Sequence, residues 1–514
     1  MKVPEAIRAQ FYIRELNTAS SQIVEVLRYH KIPSRVIDSL MEQLHSNIAR
    51  SLDEIILPAV VSMVHSASAS LRSETESERY REVFLNGTTW TRRAMDFAST
   101  YGHLFSQIEI YCDSAARQIC SCIGNLARLQ SARFAPQSLV RLKILSADRH
   151  ASTWLPLLLT FDSGESVVYK TGDHGYYRVV EKFLNLLSLP ENLEVRIPNS
   201  QIFTDFALVE YIAEMPPSDL KEAEALYRNF GALIAVMDSI NYCDGHFENV
   251  VRHGAYPMIV DLETAFHSFN PPSEIGDERS ILYTGLIQKP PKREVDEGIS
   301  AALQMPSSII QEMGRPFAVN DRSSNIQLRF RGIIEVAAGF DESGVREKFQ
   351  VHDHVDSVIQ GYTATYESNA RQKHKVLAKS DLWNEVATTR FRQVIRTTLY
   401  YVHLLRRSQM ADISSSSTKI MDWLGAGLSE NPVLAPYELY ELHQGRIPIF
   451  FHRAGSKNLL DGHGGIYRSF LSSPSVEDVR FRWQHIDESY ELKQVELLRN
   501  NLTTNLEYSD ASTP

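Results

Sequence analysis

The sequence predicts an α+β protein with a two-lobed core, a helical N-terminal extension and a mixed, mostly helical C-terminal region. Three observations lead there. Residues 5–135 carry few Gly or Pro, and apolar residues recur at intervals of three and four, as in Ile55, Ile56, Val60, Val61 and Val64. Near residue 139 the pattern changes to β-rich runs separated by turn residues. From residue 222 a long apolar helical stretch leads into a segment dense in Asp, His, Asn and Glu. The boundaries expected from these shifts are 1–135 for the extension, 136–215 for a small lobe, 216–420 for a large lobe and 421–514 for the C-terminal region, together one functional unit.

Taken in order, SLVRLKILSADRH and TWLPLLLTFDSGESVVYKTG read as strands, the second broken into a hairpin by Asp162, Ser163 and Gly164. YYRVVEKFLNLLSL (176–189) has helical spacing and stops at Pro190, and FALVEYIAEM (206–215) reads as a buried strand. EAEALYRNFGALIAVMDSI (222–240) is a buried helix by length and periodicity. Residues 270–350 are rich in Pro, Ser and charge, the composition of long loops. RFRQVIRTTLYYVHLLRRS (390–408) reads as one basic amphipathic helix, and the remainder as a mixed helical tail.

Composition narrows the function classes. With 514 residues, 43% apolar and 23% charged, the chain can bury a large core without staples. A net charge of -10, and no Lys/Arg-dense stretch set among aromatics, argue against a nucleic-acid partner. The first twenty residues lack a signal-peptide core, and no stretch approaches the roughly 20 apolar residues of a membrane span, which predicts a cytoplasmic protein. Cys112, Cys120, Cys122 and Cys243 offer neither a disulfide framework nor a CxxC pair, and the C-x-C of Cys120 and Cys122 reads as small buried thiols on a helix.

The chemistry-bearing segment is YCDGHFENVVRHGAYPMIVDLETAFH. Asp244 and Asn249 stand five apart, the offset of the Asp and Asn in a protein-kinase catalytic loop. A carboxylate there orients and deprotonates an acceptor hydroxyl, while an amide oxygen further on reaches a Mg²⁺ that bridges phosphates. Asp261 and Glu263 follow an apolar strand, where a kinase places its metal-binding Asp, so Asn249, Asp261 and Glu263 are the candidate Mg²⁺ ligands. Lys170 ends Val167-Val168-Tyr169-Lys170, the place of a phosphate-binding Lys, with Glu181 on the next helix as its candidate ion-pair partner. Single motifs of this kind are common by chance, and the weight rests on their joint order. No G-x-G-x-x-G lies between residues 139 and 170, where Asp148-Arg149-His150 stands instead, which points away from protein kinases and towards lipid-kinase-like relatives.

These residues resemble the dehydratase domain of class II lanthipeptide synthetases, the LanM family. The likeness runs through SLRSETESERYREVF (70–84), SADRH (146–150), VVYK (167–170), the CDGHFEN to DLETAFH segment, ILYTGL (281–286), RQVIRTTLYY (392–401) and GRIPIF (445–450). It implies a lipid-kinase-like core that uses ATP and Mg²⁺ to phosphorylate Ser and Thr of a precursor peptide carrying a leader. Phosphate is then eliminated to leave dehydroalanine or dehydrobutyrine. Asp148, His150, Lys170, Asp244, His246, Asn249, Asp261 and Glu263 match the family's phosphorylation positions. Arg392 and Thr398 match its elimination positions, expected on the basic helix and outside the nucleotide constellation, with Arg396 beside them to stabilise a leaving phosphate.

Two departures stand out. Tyr169-Lys170-Thr171-Gly172-Asp173 replaces the family's usual YKPRS, losing an arginine and gaining an acid. His443, His452, His463 and His485 lack the ligand spacing of a zinc cyclase, so ring closure is expected from a separate cyclase or other modifying enzyme, or not at all. Two other classes compete with the dehydratase. A kinase of a peptide or small hydroxyl compound would stop at the phosphorylated product, and a catalytically dead module would bind only a leader or partner.

Overall fold

The computed structural model describes residues 13–69, 75, 99–145, 156–268, 280–288, 301–303, 316–319, 327–330 and 349–510. The chain is α+β and divides into two compact units. The first comprises Met1–Gly172, Glu312–Gly332 and Arg396–Pro448, and the second Asp173–Gln311, Ile333–Ile395 and Ile449–Pro514.

The first unit begins with helices α1 (Ile13–Tyr29), α2 (Ser34–Ala69) and α3 (Gly102–Arg128). Cys112 and Cys122 are buried on α3, where burial pushes the Cys112 thiol up to about 12 and raises that of Cys122 further, as befits inert core thiols. An antiparallel meander follows, β1 (Leu139–Ile144), β2 (Leu157–Phe161) and β3 (Ser166–Thr171), with the expected turn between β2 and β3. The Asn125 amide donates to the Tyr169 hydroxyl at 2.7 Å, fixing β3 to α3.

The second unit continues with α4 (Gly175–Leu186), which ends before Pro190 as expected. Strand β5 (Phe206–Glu210) pairs with β4 (Ser200–Ile202), so the strand read over 206–215 stops five residues early. Helix α5 (Leu220–Ser239) starts where the Asp219 carboxylate accepts the Glu222 N–H. Hairpin β6 (Val250–His253) and β7 (Tyr256–Ile259) turns at Gly254, whose φ of +59° suits glycine.

A short hairpin of the first unit follows, β8 (Pro316–Val319) and β9 (Gln327–Phe330). In the second unit come α6 (Val355–Leu377) and α7 (Ser380–Thr388). Helices α5 and α6 pack at facing glycines: a Cβ on Gly231 would run into the Val358 carbonyl, and one on Gly361 into that of Arg228.

The expected helix over 390–408 is corrected by the structure. Arg390–Gln393 is strand β10, and helix α8 (Thr398–Ser408) begins only after Thr397 caps it by accepting the Tyr400 N–H. The alternation of half-exposed Arg390 and Arg392 with buried Phe391 and Gln393 is a strand period, continued by β-branched Val394 and Ile395.

Helix α8 then packs with α9 (Ser417–Leu428) and α10 (Ala435–His443) around Leu404, Leu424, Leu428 and Leu442 in the first unit. There Arg396 and the Tyr401 hydroxyl both engage the buried Glu438 carboxylate, at 3.1 and 2.6 Å. The C-terminal region holds more than helix: β11 (Phe450–Arg453), β12 (Leu459–Asp461) and β13 (Ile466–Tyr467) extend a sheet in the order β10-β11-β12-β13. Helices α11 (Ser475–Gln484) and α12 (Glu488–Asp510) complete the second unit. Its core gathers Phe183, Phe266, Trp383 and Trp483. Among the described residues no helix is long and apolar enough to cross a membrane.

Candidate active site

The end of α5 is anchored before the chemistry begins. Arg482 pairs with the buried Asp238 carboxylate and donates to its carbonyl, Tyr490 donates to the same carboxylate at 3.1 Å, and the Trp483 indole N–H reaches the Ser239 carbonyl at 3.0 Å. Removing one partner of such a buried pair costs about 3–5 kcal/mol, so this anchor is stiff. The chain then leaves α5 through Asn241 at a φ of 53°, a conformation Asn tolerates better than most residues.

The loop 244–249 is held by its backbone. Gly245 donates to the Thr284 carbonyl at 2.8 Å and accepts from Ala302 at 3.2 Å. A Cβ on Gly245 would stand 2.6 Å from Leu286 Cγ and 2.7 Å from the Thr284 oxygen, so glycine is required by close approach. The Asp244 carbonyl accepts from the Tyr242 hydroxyl at 3.1 Å and from Asn249 Nδ2 at 2.9 Å. Because a carbonyl only accepts, this second bond fixes which end of the Asn249 amide is nitrogen and leaves Oδ1 as its donor atom for a cation.

The twelve-residue interval from Asn249 to Asp261 holds hairpin β6–β7, which fills residues 250–259. The hairpin returns the chain so that the Val260 N–H donates to the Asn249 carbonyl at 2.9 Å, with Asp261 next. One hydroxyl ties both sides together: Tyr242 also donates to the Asp261 carbonyl at 2.9 Å. Tyr242 is buried, and burial together with the negative charges of Asp244 and Asp261 holds its phenol well above the ordinary range, so it stays a neutral donor. Tyr177 donates to the Val260 carbonyl at 2.6 Å. Tyr176 is buried within the field of Asp261, and His174 Nδ1 lies 2.7 Å from its hydroxyl.

His246 faces two donors, the Glu248 N–H at Nδ1 (3.3 Å) and Asn249 Nδ2 at Nε2 (3.1 Å), with Asp244 Oδ1 3.6 Å from Nε2. A neutral imidazole accepts at one nitrogen only, so moving the ring proton switches which donor is satisfied. Beyond Asp261, whose Oδ1 accepts the Glu263 N–H at 3.3 Å, the Glu263 carboxylate pairs with Arg392 at 2.7 Å. Arg392 was expected on a helix outside this constellation. It stands on β10 against it.

Asp244, His246, Asn249, Asp261, Glu263 and Arg392 are thus linked within the second unit. Lys170, near the end of β3 and half-buried, Thr398, the first residue of α8, and Arg396 belong to the first unit. Glu181 is exposed on α4. Asp148 and His150 lie outside the described residues. Tyr242 and Tyr177 were missed by motif spacing, because a hydroxyl acting through a backbone carbonyl leaves no charged signature.

For a cation, Asn249 Oδ1 and the Asp261 carboxylate are hard oxygen donors, and among the described residues no three His, Cys, Asp or Glu side chains gather into a metal cage. Such a sparse set fits Mg²⁺, which takes one or two protein ligands and keeps water and phosphate oxygens for the rest.

Residues 102–453, which include these side chains, match the domain of unknown function DUF4135, and the chain belongs to that family. The domain occurs in LanM-type lanthipeptide synthetases. The lacticin 481/lactococcin biosynthesis protein LcnDR2 of Lactococcus lactis subsp. lactis is 25% identical over 316 residues, 57% of this chain and 33% of that protein. The chain therefore spans about a third of the length of the curated relative it matches.

Proposed function

We propose that this chain is a lanthipeptide-type dehydratase on a two-lobed, lipid-kinase-like core. It transfers phosphate from ATP to Ser or Thr of a precursor peptide and then eliminates it. The observation that carries the reading is the Tyr242 hydroxyl, whose one proton is shared between the main-chain carbonyls of Asp244 and Asp261, which ties the backbone of a hydroxyl-orienting residue to that of a metal-binding one. The lantibiotic relative supports the peptide as substrate.

In this mechanism Asp244 orients the acceptor hydroxyl and takes its proton as the oxygen bonds to the γ-phosphorus, while the bond from that phosphorus to the β–γ bridging oxygen breaks and ADP leaves with the electron pair. Asn249 and Asp261 would hold Mg²⁺, which when bound neutralises phosphate charge. Lys170 serves the phosphates, and His246 positions Asp244 and Asn249. Asp148 and His150 keep the phosphorylation roles implied by the family likeness. In elimination a base removes the α-proton, the C–H pair forms the double bond, and the Cβ–O bond breaks with its electrons leaving on phosphate. Arg392 and Thr398 stabilise that leaving group.

The test incubates the purified chain with ATP, Mg²⁺ and a short Ser/Thr-rich candidate precursor peptide, sought among the genes neighbouring its own, following intact mass. A transient phosphorylated peptide followed by net loss of water is expected, both abolished by chelating Mg²⁺. Unmodified peptide, from folded protein that fails to bind ATP, would overturn the reading.

A further inference from the structure

Glu263 matches a phosphorylation position by sequence, yet its contacts run to the other half-reaction. The segment after Asp261 lies along β10 through a series of bonds: the Arg392 N–H donates to the Glu263 carbonyl at 2.7 Å, and the Val394 N–H to His267 Nε2 at 3.1 Å. The Gln393 amide closes on the backbone of Ser268, accepting its N–H at 3.2 Å and donating to its carbonyl at 2.7 Å. Gln393, His267 and Ser268 are buried, so this clamp is sealed from water.

On this frame the Arg392 guanidinium meets Glu263 Oε1 at 2.7 Å, with side-chain exposures of only 16% and 14%. A guanidinium so enclosed needs a carboxylate partner, because an uncompensated buried charge is strongly destabilising. Backbone and side chain of one residue thereby set both the height and the direction of Arg392. The same residue's N–H touches Asp261 Oδ1, so the arginine is referenced to the metal-binding carboxylate.

We infer that Glu263 is the positioning residue of Arg392 and that its main effect is on phosphate elimination, not on metal binding. The inference rests on the dehydratase reading. It explains why a D-x-E segment, rather than a lone Asp, follows β7: the Asp serves the cation, and the Glu aims the cation-like side chain that receives the leaving phosphate.

Two assays separate the roles. Elimination alone is measured on a synthetic phosphoserine form of the precursor peptide with ADP and Mg²⁺. Metal binding is read by electron paramagnetic resonance of Mn²⁺ titrated with ATP present. Glu263→Gln is expected to lower the elimination kcat about tenfold or more, with KM for the phosphopeptide within about twofold, while Mn²⁺ affinity changes less than about threefold. Glu263→Asp, which restores the charge, should recover part of the loss. Arg392→Lys should show the same defect, and the Glu263→Gln/Arg392→Lys double variant should be no slower than the slower single one, since both act on one interaction. The inference is overturned if Glu263→Gln loses Mn²⁺ as Asp261→Asn does, or eliminates phosphate within about twofold of the wild-type rate. Wild-type protein that binds Mn²⁺ and ATP but acts on neither peptide form would instead overturn the dehydratase reading, and this inference with it.

Discussion

The second unit contains the tripeptide Asp-Gly-His twice, and the two copies do opposite things with the same carboxylate. At Asp461 the side chain is spent on a turn: Oδ1 accepts the N–H groups of His463 and Gly465 at 2.9 and 2.8 Å, and Oδ2 the Tyr467 hydroxyl at 3.2 Å. At Asp244 the carbonyl takes the hydrogen bonds instead, from Tyr242 and Asn249, and among the described residues the carboxylate accepts none, His246 standing 3.6 Å away. A carboxylate is available for chemistry when other groups have already satisfied its loop.

The largest effect should come from removing each charge. Asp244→Asn is expected to lower phosphorylation by about a thousandfold with an unchanged melting temperature, whereas Asp461→Asn should cost about 1–3 kcal/mol of stability and leave turnover of the folded protein nearly intact. Peptide mass kinetics beside thermal denaturation would check both. Equal losses of activity would break the comparison.

The glycines sharpen it. Gly245→Ala forces a methyl onto Leu286 and the Thr284 carbonyl, and should cut turnover more than about tenfold by shifting the loop. Gly464→Ala meets no neighbour, but its φ of +85° is strained for alanine, so about 1 kcal/mol of stability and no activity should be lost. Tyr242→Phe removes the donor shared by Asp244 and Asp261 and should slow phosphorylation about tenfold, at a cost of about 1–2 kcal/mol. A full-rate Tyr242→Phe variant would show that the shared hydroxyl is not what couples the two sides.

A further effect, on stability alone, is on pH. Burial lowers His267 to about 3 and His452 to about 4, so both are neutral in the folded state and charge more readily when unfolded. Their stabilising contribution is complete above about pH 6.5 and is lost on acidification, by on the order of 1 kcal/mol per pH unit for each group. Urea denaturation between pH 7 and pH 4 should show that loss, and His452→Gln should reduce its slope.

These contrasts also explain what could be read beforehand. The β2–β3 hairpin, α5 and the order of Asp244, Asn249 and Asp261 were legible, because turn residues, helical periodicity and hairpin length are local. The two Asp-Gly-His copies were not distinguishable as tripeptides; what separates them is the sequence around them, Asn249 and a hairpin after one and Gly464-Gly465 after the other. Strand β10 was hidden because its four residues of alternation stand only four residues before a helix of similar composition. The Arg392–Glu263 pair was hidden because 129 residues separate its members. Neither periodicity nor spacing reports such a contact.

The most direct test of the account is a time course of precursor-peptide mass with ATP and Mg²⁺, comparing the wild-type chain with folded Asp261→Asn. The account predicts phosphorylated and then dehydrated peptide from the wild type and neither from the variant, because the metal-binding charge is gone. Dehydration by the variant within about threefold of the wild-type rate would contradict it.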